Sequence, residues 1–188
     1  MEFKKHALIL SVIKKLRARG SWTGKTHLQK ALALLADTTD ITVPFTFVLY
    51  KHGPYSFDVE AELEQMRSYA AVDIQPNSDG YGVTIHPGEM ASFVREQAAI
   101  EFAEDLALEW VCDLVGTRTV SDLERIATAA WIRRREGIAD TRKVAERLHQ
   151  LKPHVSVADA EAACSELSAV MAGRHSKGLG QDLGTRIH

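Results

Sequence analysis

The chain has 188 residues, of which 45% are hydrophobic and 26% charged, and its net charge is −2. That suffices for a packed core in one domain or two small ones, and it excludes a protein that binds nucleic acid through an overall basic surface. No apolar run reaches the 18 or so residues of a membrane span, and Lys14, Lys15 and Arg17 interrupt any signal-peptide core. The expected location is therefore cytoplasmic, with no membrane contact.

In chain order, Ile9, Val12, Ile13 and Leu16 at helical spacing predict a first helix over 3–19, ended by Gly20. Thr26 and Gln29 have the spacing of a capping box for a second helix, with Leu28, Ala31, Leu32 and Leu35 as its apolar stripe. Phe45 to Tyr50 is aromatic and β-branched and reads as a short strand. Gly53-Pro54 then stops that strand in a rigid corner, because proline lacks the ladder N–H and glycine accepts unusual angles. Ser56 is placed to cap a third helix over 57–69, with Val59, Leu63, Met66 and Ala70 facing inward. Val72–Ile74 and Tyr81–Ile85 alternate with period two around a Pro/Asn/Gly turn, which predicts a hairpin. Helix, helix, strand, helix, hairpin is the order of a winged helix-turn-helix, assigned to 1–87.

An α-helical subdomain packed on it is expected over 88–172. Phe102, Leu106, Trp110 and Leu114 at steps of four predict one long helix over 89–115, or two stacked pieces. Ser121 and Glu124 read as a second capping box, ahead of an inner stripe of Leu123, Ile126, Ala127, Ala130 and Trp131. A helix from Thr141 with Val144, Leu148 and Leu151 inside is stopped by Pro153. Ser156 caps the last helix, with Ala160, Cys164, Leu167 and Met171 inside, and 173–188 reads as a flexible tail. Cys112 and Cys164 fall on apolar faces and are expected as buried thiols.

Charge is distributed unevenly. Residues 1–30 carry eight Lys/Arg against Glu2 alone, whereas 31–75 carry Lys51 and Arg67 against seven acids. Lys14, Lys15, Arg17, Arg19, Lys25, His27 and Lys30 are thus candidates for a basic patch that meets a partner or nucleic acid. The third helix presents Asp58, Glu60, Glu62 and Glu64. In DNA-reading relatives of this architecture such a helix enters the major groove, where phosphates would repel these carboxylates. That face is expected to meet a basic protein surface, and any DNA contact falls to the N-terminal helices and the wing. The corner Lys51-His52-Gly53-Pro54-Tyr55-Ser56 has two readings. It sets only the strand-to-helix angle, with Tyr55 on the core, or it projects Lys51, His52 and Tyr55 as a contact patch.

Motifs for catalysis are not found. Gly24-Lys25-Thr26 lacks the glycine five places earlier that a phosphate loop needs, and no strand precedes it. The eight histidines have no metal-ligand spacing, and there is no G-x-S-x-G elbow. No catalytic residue, metal or cofactor is assigned. Trp110 and Trp131 are candidate anchors for a homodimer.

Leu28-Gln29-Lys30, Leu35, the run Tyr50-Lys51-His52-Gly53-Pro54-Tyr55-Ser56, and Leu63 together resemble the YwgA-like family of winged-helix proteins. Leu123-Glu124-Arg125-Ile126-Ala127-Thr128-Ala129 and Leu151-Lys152-Pro153 extend the likeness through the second half. More distantly the chain is similar to the Panacea antitoxin domain. Similar modules occur in the antitoxin of a DNA-modifying ADP-ribosyltransferase toxin. The resemblance implies a non-enzymatic, antitoxin-like regulator of a prokaryotic stress or defence system that binds a protein partner, a toxin or defence effector. The alternative reading is a DNA-binding transcriptional regulator of the same fold.

Overall fold

The computed structural model describes residues 2–78, 80–98 and 100–181, with side chains over 3–173 in those ranges except 102 and 103. The helices are α1 (Glu2–Ala18), α2 (Lys25–Thr38), α3 (Phe57–Ser68), α4 (Ala91–Glu96), α5 (Phe102–Val115), α6 (Val120–Arg135), α7 (Thr141–Leu151) and α8 (Val157–Gln181). Strands β1 (Val48–Tyr50) and β2 (Gly53–Tyr55) form one antiparallel hairpin, and β3 (Val72–Pro76) and β4 (Val83–Pro87) form another. The protein is mainly α with two small β-hairpins. No helix among the described residues is long and apolar enough to cross a membrane.

Helix α2 is the centre of the fold. His27 through Leu35 are all buried, with α1, α5, α6 and the β1–β2 hairpin packed around them. The predicted four-residue stripe was too narrow, since a helix apolar on every side is one covered on every side. Burial also turns Gln29 and Lys30 inward, where each needs a polar partner. The core runs without a break from α1 and α2 through α3, α5 and α6 to α7 and α8, so the segments 1–87 and 88–172 share it.

Several predicted details are corrected. Helix α2 begins behind Gly24 with no side-chain cap, and the expected Thr26–Gln29 box does not form because Gln29 is used elsewhere. Helix α6 is capped by Thr119, whose hydroxyl accepts from Asp122 N at 3.2 Å. That start, two residues before Ser121, turns Glu124 inward. The segment 89–115 is two helices, the second of the two forms expected for it. In α5 Ala107, Leu108, Val111, Cys112, Leu114 and Val115 are buried; of the predicted stripe Leu114 is buried as expected, Trp110 is half-buried against the core and Leu106 is exposed, while the side chain of Phe102 lies outside the described residues. Ala70 is exposed and takes a left-handed φ of 60° just past α3, so it belongs to the exit from the helix and not to its inner face. Helix α8 continues through Gly173 to Gln181, where the tail was expected; residues 182–188 lie outside the described ones. The Ser156 cap on α8 forms as expected, accepting from Asp159 N at 3.1 Å.

The largest correction is at the corner. Gly53-Pro54-Tyr55 does not lead straight into a helix but folds back on β1, pairing Tyr50 with Gly53, Leu49 with Pro54 and Val48 with Tyr55. Lys51-His52 makes the turn, and Gly53 follows at φ 86°, the left-handed position that closes such loops. Proline is tolerated because each strand of a two-stranded sheet is an edge. Ser56 then caps α3, accepting from Val59 N at 3.3 Å.

Both cysteines are free and buried. Burial pushes the Cys112 thiol up to about 12 and the Cys164 thiol up to about 11, which fits inert core residues.

Candidate functional site

The β1–β2 hairpin is fastened from behind by side chains that come from three distant places. On α2, the Gln29 amide donates to Ser56 O and accepts from Ser56 N, both at 2.9 Å. The next residue, Lys30, donates to Pro54 O at 2.8 Å. From the end of α7, Lys152 donates to Tyr50 O at 2.9 Å and also to Lys51 O. Helix α6 supplies Glu124, whose carboxylate lies 3.3 Å from Lys152 Nζ, 3.5 Å from His154 Nε2 and 3.6 Å from His52 Nδ1. One turn further on, Thr128 is buried against Gly53. Lys30 is only 3% exposed. Its burial pulls the ammonium down to about 8, against the pull of Glu124 and with the push of Lys152. Two buried ammoniums thus share one buried carboxylate, and both spend hydrogen bonds on hairpin carbonyls.

The front of the hairpin is aromatic. Tyr50, Tyr55 and Phe57 contact one another with ring centroids 5.0–5.9 Å apart. Tyr50 is 58% exposed and Phe57 61%, with Val48 beside them at 43%. Tyr55 is half-buried with its hydroxyl 3.4 Å from Glu60, and burial followed by that carboxylate raises its pKa. Pockets lie on either side of the turn. One of about 580 Å³ is lined by Leu49, Lys51, Leu151, Lys152 and His154; one of about 320 Å³ lies between Lys25, Lys30, Gly53 and Tyr55; Tyr50 and His52 line both.

The expected basic patch is not a single surface. Lys15 pairs with Asp105 at 2.8 Å and with Glu109, and Arg19 pairs with Glu109 and with Asp113 at 2.6 Å. Lys25 is paired with Glu60. Lys30 is buried under the hairpin. His27 is buried with Trp22 Nε1 donating to its Nδ1 at 3.2 Å, so its Nε2 donates to Arg118 O at 2.9 Å; burial lowers its pKa. Lys14 and Arg17 remain exposed, with Arg17 Nη1 2.8 Å from His86 Nδ1. The cause is a matching pair of stripes: Lys15 on α1 and Arg19 just past its end face Asp105, Glu109 and Asp113 on α5, all at four-residue spacing.

The acidic face of α3 is likewise not bare. Glu62 points to α1, within 2.6 Å of Lys5 and 2.7 Å of His6. Burial alone would raise its pKa, but the hydrogen bonds and charges of Lys5 and His6 outweigh that and hold it below the usual range. Asp58 accepts from Thr46 N at 2.9 Å, and Glu64 lies 3.7 Å from Arg67. Trp110 and Trp131 both pack against the core, with the Arg135 guanidinium 5.3 Å from the Trp131 ring, so neither is a free aromatic anchor. Among the described residues no group of three or more His, Cys, Asp or Glu is placed to hold a metal ion.

Of the corner residues, Lys51 and His52 project to solvent and Tyr55 is half-buried, while Gly53, Pro54 and Ser56 are buried. Sequence reasoning did not assign Glu124, Thr128, Lys152 or His154 to the site. The signal was present in the strings Leu123–Ala129 and Leu151–Pro153, which carry three of these residues. Comparison with protein-family models gives no match, and comparison with curated proteins gives none either.

Proposed function

We propose that the chain is a non-enzymatic, antitoxin-like regulatory protein of a prokaryotic stress or defence system, which grips a protein partner with the β1–β2 hairpin and the start of α3. In this reading residues 1–87 are a winged-helix module with β3–β4 as the wing, the helices of 88–172 buttress it, and the partner is a toxin or other effector. The observation that carries the proposal is the aromatic face of Val48, Tyr50, Tyr55 and Phe57 on a hairpin fastened from behind. Single exposed apolar residues are ordinary, but a contiguous aromatic cluster is what interface hot spots are built from. Rigid support lowers the ordering cost of binding. The resemblance to YwgA-like proteins supports this reading, because Gln29, Lys30 and Tyr50–Ser56 carry both the likeness and the fastening. The ion pairs of Lys15, Arg19 and Lys25 weigh against the alternative, a DNA-binding regulator, since a phosphate would have to displace carboxylates already in place.

The test is capture by cross-linking in the native host with the wild-type chain and with Tyr50→Ala/Phe57→Ala, followed by titration of the identified protein. Both positions are exposed, so the variant should melt with the wild type while its affinity falls at least about tenfold. Equal affinity, or a wild type that captures only its own promoter DNA, refutes the proposal.

A further inference from the structure

The pocket of about 320 Å³ on the α2 side of the hairpin has an interior that a protein-contact face does not require. Its floor is the Lys30 ammonium, whose hydrogen bond among the described residues is the one to Pro54 O. A lysine ammonium has three donors. The carboxylate that acts on it, Glu124, is engaged with Lys152 at 3.3 Å. Thr128 is buried behind Gly53 and does not line the pocket. The Lys30 ammonium, a lining group that lies 3.5 Å from where a Cβ of Gly53 would stand and has donor capacity to spare, calls for an acceptor oxygen. The walls are the rings of Tyr50 and Tyr55, 5.9 Å apart and inclined at 40°. At the rim Lys25 is neutralised by Glu60, which leaves one buried cation facing inward. That charge matches a monoanion better than a phosphate dianion.

We propose that this pocket binds a small aromatic carboxylate, its ring against Tyr50 and Tyr55 and its carboxylate at the Lys30 ammonium. The volume is that of a small-ligand cleft, and an anion there would oppose the burial that now depresses the Lys30 ammonium. The inference does not rest on the protein-partner reading, and the pocket and the aromatic front share only the tyrosines.

Phenylacetate and indole-3-acetate are titrated into the isotope-labelled wild-type chain beside their neutral amides, phenylacetamide and indole-3-acetamide, and beside AMP as an aromatic phosphate. The carboxylates should move the resonances of Lys30, Tyr50, Gly53 and Tyr55 and bind at least about tenfold tighter than the amides, as a charge-assisted hydrogen bond requires. Lys30→Met should abolish that preference, and Tyr50→Ala, at an exposed position, should weaken carboxylates and amides alike. If Lys30→Met does not fold, the carboxylate-to-amide ratio and the resonance map of the wild type decide. Equal binding of acids and amides, tighter binding of AMP, shifts centred elsewhere, or no saturable shift each overturns the proposal.

Discussion

Replacing Gly53 by alanine tests the geometry on which the hairpin depends. Gly53 holds φ at 86°, a conformation that costs a residue with a Cβ about 1–3 kcal/mol. The new methyl would also lie 2.9 Å from Thr128 Oγ1, closer than real Cβ contacts, so the hairpin or α6 must give. Overpacking of this kind adds about 1–3 kcal/mol. The combined loss is about 2–6 kcal/mol, lower if the Thr128 side chain can rotate away. For a chain of this length that lowers Tm by roughly 5–15 °C, read by calorimetry and by urea unfolding. Valine, branched at Cβ, should cost more than alanine. The two contributions separate in a Thr128→Ala background, where the clashing atom is gone and only the backbone strain remains. The coupling between the two sites should then be about 1 kcal/mol or more. An unchanged Tm in Gly53→Ala and Gly53→Val would refute the left-handed assignment, and equal penalties in both backgrounds would refute the clash with Thr128.

Glu124→Ala should cost about 3–5 kcal/mol by leaving the ammoniums of Lys30 and Lys152 buried without their carboxylate; urea midpoints within error of the wild type would contradict the shared-charge arrangement. Lys30 makes stability depend on alkaline pH, because burial holds it at about 8 against 10.5 in the unfolded chain. Between those values the unfolded chain keeps a proton that the folded one has released, so this group's contribution rises with pH across that window and is flat below it. Wild type should therefore gain stability relative to Lys30→Met on going from pH below 8 to pH near 10.5, and a constant difference would count against the buried ammonium.

The apolar spacing of α1, α2, α3, α6 and α7 and the second hairpin were legible because period and turn chemistry are local. The inward roles of Gln29, Lys30 and Glu124 were not. In sequence, Gln29 three places after Thr26 looks like a cap and Lys30 among other cations looks like surface. What turns them inward is a carbonyl or amide on the hairpin more than twenty residues away. The same holds for charge. A count over 1–30 gives a basic surface, but Lys15 and Arg19 meet the acids of α5 some ninety residues later, and such pairs appear only when two four-residue periods are laid side by side. The corner was seen as a corner because Gly and Pro are strong breakers; that it returns as a strand depends on backbone partners that composition does not reveal.

The fastening of the hairpin by Lys152 has a consequence during synthesis. The carbonyl of Tyr50 is made 102 residues before the side chain that binds it. At ribosomal rates of about 5–20 residues per second, roughly 5–20 s separate the two. Through that interval the tyrosines and Phe57 of the nascent chain sit on a hairpin whose back has no ammonium from α7. A chaperone, or a partner translated from the same message, therefore meets a looser aromatic loop than the finished protein presents, and pausing before codon 152 would lengthen that exposure.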